Sequence, residues 1–320
     1  MSGSSMKFGG IRVHEPEMGR PAGYGSRVMS RISMSDALRM VGISKLVLHA
    51  WERRYERQLA ERTDTGRRYF TPRQVEHLKL LKQCTDAGHR IGSIIDLPPA
   101  ELAALVRAHE KRASLAPLMD AILQMDAAGM KAQLAAHLAA EGPAQFAKET
   151  IAPLMREVGR QWSDGSLSIA SEHMVSAEVR TMLAACLDAL PPDQMPVRAV
   201  VSTMEGEQHE IGSMLITLLA RQAGIGALYL GPDLPVEEII RAACASKAGI
   251  ICLSSLYGRL RVLEPKLVAL RSKLDDTVEL WIGGPGFTDI RQMDGVRHFT
   301  DVASFEDAAR AAAQRAQLTD

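Results

Sequence analysis

An acidic residue, a histidine and a glycine lie close together in the segment Glu207-Gln208-His209-Glu210-Ile211-Gly212. A loop histidine offers a free imidazole that can bind a transition metal, and the carboxylate of Glu207 could accept the other ring N–H and fix the tautomer. Taken alone, such a pair is more often a structural or surface feature. Its chemistry therefore depends on what the fold places beside it.

The surrounding sequence alternates between two kinds of segment. Short apolar runs typical of buried strands are separated by amphipathic segments typical of helices, which predicts a parallel sheet covered on both faces, with ligands at the carboxyl ends of its strands. The runs lie at 196–203, 226–230, 248–253 and 279–282, and the helical segments at 211–223, 236–245 and 265–274. Ser254 follows the third run and Gly283-Gly284 the fourth. A hydroxyl and residues without β-carbons predict a deep slot there for a planar group with a long tail.

This set of residues resembles the cobalamin-binding domain of cobalamin-dependent methionine synthase and mutases. The matching residues are Glu207, His209, Gly212, Ser254, Leu256, Gly283 and Gly284. At a glycine frequency of about 7%, three glycines at fixed offsets are expected by chance at roughly 3 of every 10,000 starting positions in a sequence. The resemblance implies that His209 binds cobalt in place of dimethylbenzimidazole and that the nucleotide tail enters the slot. Glu207 departs mildly from the Asp that is usual in these enzymes.

Residues 100–190 are rich in Ala, Leu, Met and Glu, which predicts a bundle of four or five helices. The expected interruptions are Pro117, Gly129, Pro143 and Pro153. Trp162 lies in a predicted turn, with Glu172 and His173 on the next helix. Considered one at a time, Trp162 is most simply explained as an aromatic cap of the bundle, Glu172 as a residue on a solvated face and His173 as a surface histidine.

The charges of the chain are unevenly distributed. Lys and Arg number 38 against 38 Asp and Glu, yet residues 27–96 hold 14 against 8, and residues from 97 onward hold 21 against 28. A compact basic module joined to an acidic body favours a nucleic-acid-binding head. The 4 cysteines have no CxxC spacing, which argues against a disulfide framework or a cysteine zinc site.

The basic module has the layout of a helix-turn-helix. Ser35 is expected to cap a first helix over 36–40, Gly42 to form the turn, and Ser44 to cap a second helix that ends near Tyr55. The second helix would enter the major groove, with Ser44, Lys45 and His49 facing bases or phosphates. A turn at 63–66, followed by Arg67 and Arg68, predicts a basic wing.

Residues of about 31–97 resemble the winged-helix head of the MerR family of transcription regulators. The resemblance is carried by Trp51-Glu52-Arg53-Arg54-Tyr55, Glu61-Arg62-Thr63, Gly66, Arg68 and Phe70-Thr71. It implies a dimer on inverted DNA repeats, with contacts from Arg53, Arg54, Tyr55 and Arg68. Glu56 and Ala60 replace the usual glycine and proline, and Trp51 is expected in the core. The helix predicted over 72–87 stops at Gly88, so dimerisation is expected elsewhere.

The spacing from Trp162 to Glu172-His173 is similar to the signature of the CarH/LitR group of light-sensing, adenosylcobalamin-dependent MerR-type repressors. The predicted fold class is a multidomain α and α/β protein. The expected order is a disordered tail (1–26), a winged helix-turn-helix (27–97), a four-helix cobalamin cap (100–190) and a Rossmann-like, flavodoxin-like cobalamin domain (195–320). The resemblance implies no enzyme activity. It implies a homo-oligomer, dimer or tetramer, that binds an operator of inverted or direct repeats near a promoter and is released when light breaks the cobalt–carbon bond.

Ser163 stands where the photoreceptor group has a histidine able to take cobalt after photolysis. A hydroxyl binds cobalt more weakly than an imidazole does. Three alternatives follow: the photoproduct differs from that of the group, His173 takes the place of the missing histidine, or light is not the signal. Two alternatives stay open: a non-photochemical regulator that senses cobalamin or another tetrapyrrole, and, more distantly, a corrinoid carrier for a methyltransferase. No segment approaches about 20 apolar residues or resembles a secretory signal, so we expect a cytoplasmic protein without membrane contact.

Overall fold

The computed structural model describes residues 31–62, 66–190, 195 and 197–317. This part of the chain forms two compact units, the first extending to His109 and the second starting at Glu110. The tail expected over 1–26 and the wing-turn residues 63–65 lie outside the described residues. No helix in the described ranges is long and apolar enough to cross a membrane.

The first unit combines a small antiparallel sheet with short helices. The strands follow the order β1-β3-β2, so β3 pairs with both of its neighbours. The bounds are β1 Ile32–Ser33, α1 Met34–Val41, α2 Lys45–Tyr55, β2 Glu61–Arg62, β3 Arg68–Phe70, α3 Pro72–Asp86 and α4 Ile91–Ile94, followed by α5 Pro99–Leu123, which continues into the second unit.

Caps and turns define α1 and α2. The hydroxyl of Ser33 accepts the N–H of Asp36, so Ser33 caps α1; the expectation that Ser35 does so was wrong, because Ser35 already lies in the first helical turn. Gly42 ends α1 with φ 77°. Ser44 caps α2 by accepting the N–H of Val47 at 3.2 Å, as predicted.

The core of the first unit continues past the expected junction at 97–99. Leu48, Phe70 and Leu81 are buried in one cluster, and Leu102 from the first turns of α5 is buried with them. The beginning of α5 therefore belongs to the first unit, because its apolar side chains pack in that unit's core.

The second unit contains a helical bundle and an α/β sheet. The bundle comprises the rest of α5, α6 Ala127–Gln145, a π-helical segment Phe146–Ile151, α7 Ala152–Ser163 and α8 Ile169–Asp188. The α/β part comprises β4 Val197–Thr203, α9 Ile211–Gln222, β5 Ile225–Tyr229, α10 Val236–Ser246, β6 Ile250–Ser254, α11 Leu260–Lys273, β7 Glu279–Gly283, a 3₁₀ turn Pro285–Phe287, β8 Val296–Phe299 and α12 Val302–Gln317.

Two of the expected interruptions do not break the bundle helices. Pro117 lies inside α5, which continues because Leu115 and Leu118 on either side are buried in the core and offset the cost of the missing hydrogen bond. Gly129 lies in the first turn of α6, where its N–H donates to the capping carboxylate of Asp126 at 2.9 Å. The bend in α6 falls at Gly142, with φ 72°.

The strands of the second unit form a parallel sheet in the order β5-β4-β6-β7-β8. This is the flavodoxin-like order, in which ligands bind where neighbouring connections leave the sheet in opposite directions. Here that point lies between the carboxyl ends of β4 and β6. The predicted parallel sheet is confirmed, and β8 and α12 extend it beyond the four strands expected.

The bundle and the sheet share one hydrophobic core. Val179 and Leu183 of α8 are buried with Leu218 of α9 and Ala309 of α12. A largely buried ion pair adds to this contact, because Nζ of Lys148 lies 2.7 Å from a carboxylate oxygen of Glu306. The bundle is thus fixed against α9 and α12 on one face of the sheet.

Candidate functional site

The loops after β4 and β6 leave adjacent strands at the same edge. Thr203 at the end of β4 is aligned with Ser254 at the end of β6. The loop after β4 carries Glu207 and His209, and the loop after β6 carries Leu256. The structure therefore brings together the histidine segment and the serine segment that the sequence separates by more than 40 residues.

The buried carboxylate of Glu207 connects these two loops. Its Oε1 accepts the backbone N–H of His209 at 3.0 Å and lies 2.5 Å from Nδ1 of that residue. Its Oε2 accepts the hydroxyl of Ser255 at 3.0 Å and the N–H groups of Leu256 and Tyr257 at 2.8 and 3.2 Å. Burial acts to raise the pKa of Glu207, but the hydrogen bonds from His209, Leu256 and Tyr257 outweigh it and lower the pKa. The carboxylate is therefore ionised and acts only as an acceptor.

The carboxylate of Glu207 orients the His209 ring. Because a carboxylate only accepts, Nδ1 is the donor in this contact, and Nε2 is the ring nitrogen left for a metal. The side chain is half exposed. Among the described residues no three His, Cys, Asp or Glu side chains form a metal-binding group. A single imidazole suits a metal that is already held by a macrocycle, since such a metal needs only one further ligand from the protein.

The glycines of the site allow close packing of backbone and side chains. A β-carbon on Gly212 would lie 3.3 Å from Oγ of Ser254, and one on Gly283 would lie 3.2 Å from the carbonyl oxygen of Phe299. Gly284 has φ 103° and rests against the carbonyl of Ser255. Larger residues would collide with these neighbours, so the close packing of α9 on β6, of β7 on β8 and of Gly284 on the loop after β6 depends on the three glycines.

A second set of contacts joins the bundle to the histidine loop. The hydroxyl of Tyr229 donates to the carboxylate of Glu210, and Nε of Arg180 on α8 lies 2.8 Å from the other oxygen of that carboxylate. Burial, helped by the hydrogen bond to Glu210, raises the pKa of Tyr229, so its phenol stays protonated and donates. Glu210 directly follows His209, so the loop is anchored from both β5 and α8.

Trp162 reaches the same place from the bundle, in the last turn of α7. Its ring centroid lies 6.2 Å from that of Tyr257, which lies 5.0 Å from that of His209. Sequence reasoning missed Tyr257, although an aromatic residue directly after the Ser254-x-Leu256 motif was a usable signal. Trp162 remains 42% exposed, so its indole is available to a ligand.

Glu172 lies in the first turn of α8, and His173 follows it at the start of the second turn. Glu172 accepts the hydroxyl of Ser176 at 2.6 Å, and Nε2 of the exposed His173 lies 3.7 Å from Oε2 of Glu172. Ser163, on α7, donates its hydroxyl to the carbonyl of Arg160 at 2.7 Å. In the described part of the chain, the side-chain hydrogen bonds and ion pairs of these residues stay within their own helices, and a role in ligand binding remains a prediction.

In the first unit, α2 carries most of the residues predicted to contact DNA. Lys45, Arg53 and Arg54 are exposed, and Ser44 caps the amino end of the helix. The predicted contact residue His49 is partly buried, with Nε2 lacking a hydrogen-bond partner among the described residues. The exposed cations present a basic helix surface.

The remaining predicted contact residues also have structural contacts. The ring of Tyr55 lies against Gly92. Arg68 on β3 pairs with the largely buried Glu52 of α2 at 2.5 Å, which ties the wing to the helix. Glu56 ends α2 with φ 53°, the left-handed conformation that explains the family's glycine at this position.

Comparison with known families assigns each of these regions. A family described as MerR HTH family regulatory protein matches residues 32–100. Two families, each described as B12 binding domain, match residues 115–187 and 197–313. The matches cover the helix-turn-helix, the bundle and the parallel sheet, and they confirm the predicted fold class and cobalamin as the cofactor.

Individual relatives agree with this assignment. The HTH-type transcriptional repressor CarH of Myxococcus xanthus is 32% identical over 260 residues, which are 78% of this chain and 87% of that protein. The repressor CarA of the same organism is 25% identical over 227 residues, 69% of this chain and 75% of CarA. The monomethylamine corrinoid protein of Methanosarcina barkeri shares the fold, with a TM-score of 0.51 at 22% identity, covering 61% of this chain and 96% of its own. The chain belongs to the CarH-type family of cobalamin-binding, MerR-type transcriptional repressors.

Proposed function

We propose that this protein is an adenosylcobalamin-dependent repressor that binds operator DNA as a homo-oligomer and releases it in light. The observation that supports the proposal is that Tyr257 contacts both Trp162 and His209. Tyr257 thus links the indole of the bundle with the imidazole that we propose as the cobalt ligand.

Each side chain of the site has a part in this proposal. His209 would hold the cobalt through Nε2, Glu207 would hold the His209 ring, and Trp162, Glu172 and His173 would bind the adenosyl group. The bound cofactor supplies a cobalt–carbon bond that visible light breaks. The chain's own side chains catalyse no reaction and only bind, orient and shield. The nucleotide tail is held along Gly212, Ser254, Leu256, Gly283 and Gly284.

The DNA-binding head responds to the cofactor through assembly. A ligand shifts an oligomeric equilibrium only by its difference in affinity for the two states, so loss of the adenosyl group acts through the contact of Trp162 with Tyr257 in the loop after β6. Dimers or tetramers present several basic heads to inverted or direct repeats near a promoter, and separated heads lose that combined affinity. The contacts to DNA come from Ser44, Lys45, His49, Arg53, Arg54, Tyr55 and Arg68.

The test compares DNA binding in the dark and after green light. Double-stranded DNA is selected from a random pool by the dark, adenosylcobalamin-loaded protein, and its complex is then followed by gel shift while the visible spectrum is recorded. We expect the spectrum to change and the complex to dissociate on illumination. A light-stable complex contradicts the proposal, and failure to select any DNA favours the carrier alternative.

The ligand assignment has its own test. His209→Ala should lose the histidine-ligated spectrum of bound cobalamin, whereas His109→Ala, a change at an exposed histidine at the end of the first unit, should keep it. An unchanged spectrum in His209→Ala would remove the assignment.

A second candidate function is a cobalamin-sensing repressor without photochemistry. It is favoured by Ser163, whose hydroxyl bonds to the carbonyl of Arg160 and is a poor substitute for a second imidazole. In that case DNA binding follows the concentration of cobalamin and is the same in light and dark.

A further inference from the structure

Three aromatic side chains are arranged in series at the edge of the sheet. The rings of Trp162 and Tyr257 are tilted by 53°, with centroids 6.2 Å apart, and the rings of Tyr257 and His209 meet edge to face at 73° and 5.0 Å. The phenol ring thus contacts both the imidazole that offers Nε2 and the indole that comes from the bundle. A macrocycle whose metal is bonded to His209 needs the space beside this imidazole.

Backbone and side chain of Tyr257 are held very differently. Its N–H, like that of Leu256, donates to the buried carboxylate of Glu207, so the position of the loop is fixed. The side chain is 53% exposed, and its hydroxyl has no hydrogen bond within the described part of the chain. Two ring contacts hold it, each worth a factor of about 2 to 12 in an equilibrium constant. Rotation of the side chain can therefore clear the site while the loop stays in place.

We propose that Tyr257 occupies the corrin space in the cofactor-free protein and must rotate out before the corrin can reach His209. This inference rests on the proposed role of His209 as the cobalt ligand. The apparent dissociation constant is then the intrinsic one divided by the fraction of molecules with the ring turned out. Tyr257 thus weakens cobalamin binding and sets an upper limit on its rate, in contrast to the other residues of the site, which strengthen it.

Removal of the ring tests this proposal directly. Binding of hydroxocobalamin to the full-length, cofactor-free protein is followed by stopped-flow absorbance and by equilibrium titration. We expect Tyr257→Ala to bind about 5- to 100-fold more tightly than wild type, and its binding rate to rise with concentration where the wild-type rate levels off. Tyr257→Phe is the matched control and should behave as wild type, because the hydroxyl has no partner to lose.

Several outcomes would overturn the role of Tyr257. Unchanged binding by Tyr257→Ala means that the ring is no obstacle, and weaker binding means that the ring is a contact for the bound cofactor. If wild type itself shows no histidine-ligated cobalamin spectrum, the proposed role of His209 as the cobalt ligand is wrong. If wild type shows that spectrum and Tyr257→Ala binds hydroxocobalamin with the same affinity and rate, only the inference about Tyr257 is wrong.

A second measurement does not depend on a folded alanine variant. The chain has 5 tyrosines, so labelling with 3-fluorotyrosine gives few ¹⁹F resonances, and Tyr257→Phe identifies the one from position 257. This resonance should lie away from the solvent-exposed value in the free protein, because of the neighbouring rings, and move on addition of hydroxocobalamin. A resonance that stays at the same position contradicts the displacement.

Discussion

Nδ1 of His209 lies 2.5 Å from Oε1 of Glu207, and the same carboxylate accepts two backbone N–H groups from the loop after β6. One buried side chain therefore orients the His209 ring and links two loops. Its position explains why an acidic residue precedes the histidine by two in the motif.

Replacement of Glu207 should weaken cobalamin binding without removing its ligand. We expect Glu207→Ala to lower the affinity for hydroxocobalamin about 10- to 100-fold, because outer partners of a metal-bound histidine contribute that much. The measurement is a spectrophotometric titration. Glu205→Ala is the matched control, since Glu205 is exposed in the same loop and bonds to Lys266 at 3.0 Å. Equal losses in both variants would contradict the role of Glu207.

The lowered pKa of Glu207 predicts a pH dependence of stability. A carboxyl whose pKa is lower in the folded state stabilises the protein above its unfolded pKa of about 4.3, and this contribution is lost as the pH falls through the folded value. Glu207→Gln should lower the free energy of unfolding by about 1–3 kcal/mol near pH 7, because its amide cannot accept all of these bonds.

The difference between wild type and Glu207→Gln should shrink below about pH 4.3. Urea unfolding followed by circular dichroism at several pH values measures it. Other carboxyl groups titrate in both proteins and cancel in the comparison. If the difference in the free energy of unfolding between the two proteins stays constant down to pH 3, the ionised form of Glu207 is not the stabilising one.

Ser163 and Trp162 are neighbours with different predicted effects. Because the hydroxyl of Ser163 is used by the carbonyl of Arg160, Ser163→Ala should leave the visible spectra unchanged, both in the dark and after illumination. Trp162→Ala should weaken binding of adenosylcobalamin more than that of hydroxocobalamin, since the indole would cover the adenosyl group. A photoproduct spectrum altered by Ser163→Ala would identify the hydroxyl as a cobalt ligand.

The sequence was most informative where local chemistry determines structure. Ser44 and the bounds of α2 were predicted correctly, because a capping hydroxyl and a helical apolar pattern act over a few residues. The histidine segment was predicted to follow a buried strand, and it does, since a run of buried apolar residues is readily recognised. The cap of α1 was placed two residues late because two serines compete for that role, and only the backbone decides between them.

Long-range contacts could not be predicted in the same way. β8 pairs only with β7 and carries Arg297 and His298 between less polar neighbours, so its sequence lacks the apolar run of a central strand. Tyr257 belongs to the site because α7 brings Trp162 to its ring, a contact between residues 95 positions apart in the chain. Pro117 lies inside a helix because surrounding burial outweighs its local preference.

Variants of Arg53 and Arg68 distinguish cations that contribute only to DNA binding from cations that also stabilise the DNA-binding head. Arg53 is exposed on α2, so Arg53→Ala should weaken DNA binding and reduce the slope of log affinity against log salt by about 1, if it neutralises one phosphate. Arg68→Ala should lower stability as well as DNA binding, because it leaves the carboxylate of Glu52, only 10% exposed, without its cation. We expect a loss of about 2–4 kcal/mol, measured by urea unfolding.

Lys79→Ala is the control for both variants, because Lys79 forms an exposed pair with Glu76 on α3 and should change neither property by much. The double variant Arg68→Ala with Glu52→Gln should recover part of the lost stability, since a neutral amide is less costly to bury than an unpaired carboxylate. If Arg68→Ala leaves stability intact and reduces the salt slope as Arg53→Ala does, then Arg68 contacts phosphate in the complex and its pair with Glu52 contributes little to the fold.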